Sequence, residues 1–347
     1  MSLAAPVETI PLLGPELSLR DTLKRWSLRW GIGRNDAIVA PGLYRVGEPT
    51  ADSAVLVTCN YRMTVDLLRR DLAGTDVWVL VLDTHGVNVW CAAGKGTFGT
   101  DELVRRIFSS HLADFVAHET LVLPQLGAVG VAAHKVRAAT GYRVVWGPVR
   151  SADLRAFLAE GRRATPEMRA VTFRFAERVA LAPVEFVGAL RWAWVVLGLI
   201  ALAVLGASVG ARSFVPVAAL MAIFPGVAMF ALGALAGGVL VPALLPWLPG
   251  RAFSIKGAFA GFSLALVALV ALPGMLGGQS PWGWAAMLLG VSAMASYVGV
   301  NFTGSTPYTS PSGVERELRG AIPWQAAAAV ASLVCWTVMW ATRIGAV

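Results

Sequence analysis

The chain splits into two halves by its pattern of apolar and polar positions. Through residue 191, short apolar runs alternate with amphipathic stretches. From 192 onward, apolar residues run on with few interruptions. Four runs in the first half read as buried strands: SAVLVTCN (53–60), DVWVLVLDT (76–84), ETLVLPQL (119–126) and YRVVWGPV (142–149). A helical pattern follows each one, over 64–73, 100–116, 131–139 and 151–161. Strands alternating with helices predict βαβ units and an α/β domain with a parallel sheet. In such sheets ligands bind beyond the carboxyl ends of the strands. Those ends carry Thr58 to Asn60, Asp83 to Cys91, Pro124 to Gly130, and Gly147 with Pro148.

The second half reads as membrane. Five spans are predicted, at 192–211, 214–248, 257–275, 282–302 and 323–342, since a helix needs roughly 20 apolar residues to cross. The second run is too long for one simple span, and Pro225, Gly226, Gly237, Gly238 and Pro242 are the positions expected to kink it or turn part of it back. Residues 165–190 form an amphipathic connector into the first span. The predicted spans hold no internal Asp, Glu, Lys or His, which favours an anchor or assembly platform over an ion-coupled path. With the N-terminus inside, Arg174, Arg178, Arg191, Arg251, Lys256, Arg316 and Arg319 fall inside, and only Arg212 and Arg343 outside. That is the positive-inside pattern. Tryptophans such as Trp192, Trp247, Trp282, Trp324 and Trp340 stand near the span ends, where interfacial anchors belong.

Charge and cysteine content refine this picture. The net charge of +8 is shared evenly between the halves, and no basic-aromatic patch asks for nucleic acid. The opening residues lack a basic region followed by an apolar core, so the first domain is expected in the cytoplasm and the chain in the inner membrane. Three cysteines in a reducing compartment do not make a disulfide framework. Gly94, Gly96 and Gly99 spell G-x-G-x-x-G, but the preceding strand ends near Thr84, too early for a dinucleotide turn. Lys95 lacks the glycine spacing and the following Ser/Thr of a phosphate loop. Asp83, Thr84 and His85 begin like the cobalt-ligating motif D-x-H-x-x-G, with Asn88 in the glycine position.

Cys91 is the more pointed feature. It sits in a loop, 86–99, rich in small residues that would let backbone approach a large flat ligand. Thr100, Asp101 and Glu102 behind it look like a helix cap and an acidic first turn. A cysteine at such a helix-start loop is disposed toward thiolate. One thiolate cannot build a closed zinc site. It can give one axial bond to a metal whose other positions a macrocycle fills. The alternative is a small buried residue filling a gap.

NVWCAAGKGTFGT (88–100) resembles the cap-helix motif N-(V/I)-W-C-A-(A/G)-G-K of the mercury-methylating corrinoid protein family, HgcA. The flanking GLYRVGEPTADSAVLVTCNYRMTVDLLRRDL and LVLPQLGAVGVAAHKV are similar to the corrinoid domain of the large corrinoid iron–sulfur proteins, as is the segment at 301–323. The resemblance covers most of the chain from about residue 42. It implies an N-terminal extension (1–41), a Rossmann-like corrinoid-binding domain (42–164), the connector (165–191) and a transmembrane domain of about five helices (192–347), with a cytoplasmic loop at 303–322. Cys91 would be the lower axial ligand to the cobalt of a cobalamin-type corrinoid. Asn88, Val89, Trp90, Ala92, Ala93, Gly94 and Lys95 would complete the cap helix. Thr58 would face the corrin, and Pro124, Gln125, Leu126 and Gly127 are assigned to it by their place at a strand end.

The implied activity is methyl transfer from methyl-Co(III) to Hg(II), giving methylmercury, with the methyl drawn from a methyltetrahydrofolate-type donor. The chain has no C-x-x-C and cannot hold its own cluster, so the resemblance implies a ferredoxin-like 4Fe-4S partner as reductant. Two other readings stay open: a corrinoid methyl carrier for another acceptor, and a membrane transporter with a cytoplasmic regulatory domain. His85 is a rival axial ligand. Cys59 is a second sulfur to consider, Cys335 lies in the last span as packing, and Ser310 and Ser312 precede GVEREL, which reads either as a short interfacial helix that docks the soluble domain or the ferredoxin or as a solvated loop.

Overall fold

The computed structural model describes residues 7–34, 36–210, 216–272, 276, 280–304, 306–308 and 311–344. It forms two compact units, one of residues 1–28 with 32–172, the other of 29–31 with 173–347.

The first unit opens with helix α1 (Leu19–Arg29). Its sheet contains β1 (Gly42–Val46), β2 (Val55–Cys59), β3 (Val77–Leu82), β4 (Thr120–Leu123) and β5 (Arg143–Trp146), in the order β1-β3-β2-β4-β5. The helices between and after the strands are α2 (Arg62–Asp71), α3 (Val89–Lys95), α4 (Thr100–Ser109), α5 (Ala133–Thr140), α6 (Leu154–Ala159) and α7 (Pro166–Arg169). The four expected strands are present and parallel, but the sheet is mixed, because β1 pairs antiparallel with β3 along its edge.

Strand periodicity explains the layers. Alternate residues point to opposite faces. Val55, Val57 and Cys59 of β2, with Trp78, Leu80 and Leu82 of β3, enter one core. Leu56, Val77, Val79 and Val81 enter the other, against Leu68 of α2 and Phe157 of α6. Both central strands are buried at every position, so their sequences read as unbroken apolar runs.

Residues 15–28 belong to this unit. Asp21 of α1 takes ion pairs from Arg62 and Arg69 of α2, each at 2.9 Å. Burial alone would raise the Asp21 carboxyl, but hydrogen bonds from Arg69 and Ser18 outweigh it and bring the pKa from 3.8 down to about 2. A carboxylate with a depressed native pKa stabilises the fold above its unfolded pKa, and that contribution disappears as pH falls through the native one. Acid titration of unfolding should therefore show stability falling between pH 4 and pH 2, and Asp21→Asn should flatten this loss.

The second unit is helical: α8 (Phe175–Val179), α9 (Ala182–Leu190), α10 (Ala193–Gly210), α11 (Pro216–Leu235), α12 (Val241–Leu244), α13 (Phe253–Ala271), α14 (Pro281–Thr303) and α15 (Pro311–Ile344). Among the described residues, five stretches are long and apolar enough to cross a membrane: Phe175–Leu199, Phe224–Leu244, Phe253–Ala271, Pro281–Thr303 and Ser312–Thr342. The number agrees with the sequence expectation, but the limits do not. The first stretch begins early enough to include Glu185 and Arg191, and Lys256 lies within the third, so charged residues do fall within these helices. The last helix starts at Pro311 and runs through Pro323, so the expected loop at 303–322 is mostly helix and GVEREL is its first part. Arg212 and Ser310 lie outside the described residues, as does the side chain of Arg343.

The long second run is a helix with Pro225 inside it and a π-helical turn over Ala236–Leu240, which contains Gly237 and Gly238. Beyond the turn, the carbonyls of Pro242 and Ala243 accept hydrogen bonds from buried Arg178, which caps a helix end. Gly257 and Gly261 of α13 let α14 come close. A Cβ at either position would stand 2.3 Å from the Ala295 oxygen or 2.7 Å from the Ala295 Cβ. Small residues four apart serve this close approach of apolar helices.

Candidate functional site

The strand order places a switch point at β2, because the chain leaves it for β3 on one side and later returns to β4 on the other. β2 and β4 pair only at Val55–Leu121 and Leu56–Val122. Beyond those pairs lies a cavity of about 470 Å³ at the carboxyl ends of the strands. This is where open α/β sheets hold ligands. Thr58 of β2, Pro124 and Leu126 after β4, and Gly147 with Pro148 after β5 line it. Asn88, Val89 and Trp90 close a further side.

Cys91 is in a helix of its own, not in a loop as its small neighbours suggested. Asn88 caps α3, its side-chain oxygen accepting the Cys91 N–H at 3.0 Å. Gly96 ends the helix in the left-handed region at φ +83°. The helix is short because Asn88 starts it and Gly96 stops it within seven residues. Cys91 is exposed and does not line the cavity, whereas Asn88, Val89 and Trp90 beside it do.

The small residues after Cys91 face different ways. Ala92 and Ala93 are buried in the core with Phe98. Gly94 and Lys95 are exposed, with open space where a Gly94 Cβ would stand. Gly127 is buried, and a Cβ there would come within 2.6 Å of the Phe98 ring. Gln125 is half-buried and lies outside the cavity lining. Of the thirteen residues singled out from sequence, the cavity thus gathers Thr58, Asn88, Val89, Trp90, Pro124 and Leu126. The turn at Gly130 packs directly on the backbone of α3: a Cβ on Gly130 would meet the Phe98 oxygen at 2.2 Å and the Ala93 Cα at 3.0 Å. Gly130→Val should push α3 off this turn and destabilise the unit by about 1–3 kcal/mol, the usual cost of overpacking, as urea unfolding would show.

The approach to α3 is braced by buried Asn60. Its side-chain oxygen accepts from the Thr84 N–H (3.1 Å) and the Gly86 N–H (3.0 Å), and it lies 2.8 Å from the Thr84 hydroxyl, whose one proton it shares with the Val87 carbonyl at 2.7 Å. Its amide donates to Asp83 at 3.1 Å. Glu102 reaches the same loop, accepting the Asp83 N–H at 2.7 Å. Burial would raise the Glu102 carboxyl, but that backbone bond and the guanidinium groups of Arg105 and Arg106 hold it below the usual range. Thr100 is not the cap of α4. Gly99 holds that place, and the Thr100 hydroxyl accepts the Ala132 N–H at 2.9 Å.

His85 stands apart. Its backbone is left-handed (φ 55°), its side chain is 75% exposed, and its Nδ1 lies 3.6 Å from Asp83. Cys59 is fully buried, and burial pushes its thiol above the ordinary value, so it remains a neutral core residue. Among the described residues, no cluster of three or more His, Cys, Asp or Glu could hold a metal ion. A metal here would need most of its ligands from elsewhere.

The rim adds residues that strand-end reasoning passed over. Thr64, Arg70 and Asp71 of α2, with Arg150 and Ser151, complete the lining. Asp71 accepts from Arg70 (2.6 Å) and from the Ser151 hydroxyl (2.6 Å). Their signal was positional, since they lie on the segments that follow β2 and β5.

Residues 15–158, the stretch holding this sheet, match the family model described as CO dehydrogenase/acetyl-CoA synthase delta subunit. The match does not reach 301–323. Over 154 residues the chain is 32% identical to an acetyl-CoA decarbonylase/synthase complex subunit gamma of Methanopyrus kandleri, covering 41% of this chain and 33% of that one. A subunit gamma 2 of Methanosarcina mazei is 35% identical over 118 residues, 33% of this chain and 24% of its own. A subunit gamma of Archaeoglobus fulgidus is 31% identical over 127 residues, 36% and 27% of the two chains. The chain spans a third or less of the length of these relatives.

Proposed function

We propose that the sheet-bearing unit holds a corrinoid and that the chain is a membrane-anchored corrinoid-dependent methyltransferase whose acceptor is Hg(II). One placement carries the reading: the Cys91 thiol is exposed on the turn whose other residues, Asn88 to Trp90, form a wall of the switch-point cavity.

The residues fit such a group. The cavity is mostly apolar, with Thr58 at its strand end and Trp90 at its helix side, as suits part of a large, mainly neutral cofactor. When bound, the corrinoid supplies a cobalt centre that takes up a methyl group and gives it to an acceptor. Cys91 would supply one sulfur ligand, and with it electron density, to that centre. Asn88 fixes the Cys91 backbone, and Asn60 fixes the loop before it. The methyl group would come from a methyltetrahydrofolate-type donor. Electrons would come from a ferredoxin-like partner, because Cys59, Cys91 and Cys335 are too few for a four-cysteine cluster. The five apolar helices would keep the unit at the inner membrane, on the cytoplasmic side by their flanking positive charges.

The relatives are named as subunits of acetyl-CoA decarbonylase/synthase complexes, which favours a second reading, a methyl carrier for another acceptor. The full chain purified with a corrinoid separates the two. Failure to retain the corrinoid overturns both. Retention with transfer to Hg(II) supports the first, and retention without it supports the second.

A further inference from the structure

Helix α1 carries an apolar stripe that stands exposed. Leu19, Leu23 and Trp26 are 76%, 62% and 66% exposed, and Trp30, one residue past the helix, is 43% exposed. At about 100° per residue these four fall within a sector roughly 60° wide. The opposite side of the helix is the one held to the fold: Leu28 is fully buried, and Asp21 pairs with Arg62 and Arg69. The stripe is therefore left over after the helix has docked.

Cations flank it. Arg20 and Lys24 lie on one side of the stripe and Arg29 on the other, while the acid of this helix, Asp21, is turned inward and engaged. An apolar face edged with Lys and Arg and carrying Trp is the pattern of a helix lying in a membrane interface. Charge complementarity selects an anionic surface. The same chain carries, among its described residues, five stretches long and apolar enough to span a bilayer.

We propose that α1 is an interfacial helix, with Leu19, Leu23, Trp26 and Trp30 seated among acyl chains and Arg20, Lys24 and Arg29 among anionic lipid headgroups. The proposal does not depend on the cofactor.

A nitroxide on Leu23→Cys, in the full chain carrying Cys91→Ser and Cys335→Ala, tests it in nanodiscs of phosphatidylcholine with or without phosphatidylglycerol. Leu23 is exposed, so the change should not disturb folding. In anionic discs the label should be accessible to oxygen and shielded several-fold from an aqueous nickel chelate. Neutral discs, or a chain with Arg20→Glu and Lys24→Glu, should restore nickel access. Full nickel access in both compositions overturns the proposal. So does a label shielded from both reagents in both compositions, which would mean that protein covers the stripe. Equal oxygen access in both overturns the recognition of anionic lipid.

Discussion

Replacing Cys91 with alanine is expected to abolish methyl transfer while leaving the fold intact. Cys91 is exposed, and its amide bond to Asn88 does not involve the sulfur, so its truncation should move stability by no more than about 0.5 kcal/mol. Activity should respond far more. Removing a residue that only orients a metal ligand costs 10–100-fold, so removing the ligand itself should exceed about 100-fold. The absorbance spectrum of the corrinoid-loaded protein should change with it, a readout that a merely structural role would not move. His85→Ala should leave both nearly unchanged, since His85 leans toward Asp83 on an exposed, left-handed turn. Full activity in Cys91→Ala together with its loss in His85→Ala would reverse the ligand assignment.

The central strands were legible because β2 and β3 are covered on both faces, which forces continuous apolar runs. β1 was not. GLYRV lies at the sheet edge, only Leu43 and Val46 are buried, and so short a mixed pattern carries no period. Periodicity does not show α3, because seven residues of mostly small side chains have no amphipathic stripe, and only the cap-helix resemblance implied a helix there. Its evidence is the Asn88 cap and the Gly96 stop, whose meaning depends on each other. In the second half, hydropathy found five apolar helices but misplaced their ends, since helices continue past their apolar stretch wherever charged residues can sit at the margin. GVEREL at the head of α15 is the plainest case. The cavity rim needed tertiary structure: Asp71 and Ser151 meet across a separation of 80 residues that no local pattern records.

Replacing Asn60 should cost nearly as much function as replacing Cys91, through position and not ligation. Asn60 is 1% exposed, and it ties the end of β2 to the turn that leads into α3 by accepting from the Thr84 and Gly86 N–H groups. In Asn60→Ala the Thr84 and Gly86 N–H groups lose their acceptor. The Thr84 hydroxyl keeps the Val87 carbonyl. An orphaned buried group costs about 1–3 kcal/mol; Thr84 is buried and Gly86 half-buried, so the unit should lose about 2–4 kcal/mol in denaturant titration. Corrinoid retention should fall as well, because the turn sets where Asn88 begins the helix that presents Cys91. Asn60→Asp tells the tether apart from simple bulk. It keeps the acceptor for Thr84 and Gly86 but sets a carboxylate against Asp83, where the amide now donates at 3.1 Å. Two carboxylates that close raise the pKa of the pair. The native state then binds more protons than the unfolded chain, so this variant should gain stability relative to wild type as pH falls from neutrality toward the carboxylate range. Asn60→Ala should show no such recovery. Equal pH profiles for the two variants, or an alanine variant as stable as wild type, would mean that the turn is held by other contacts.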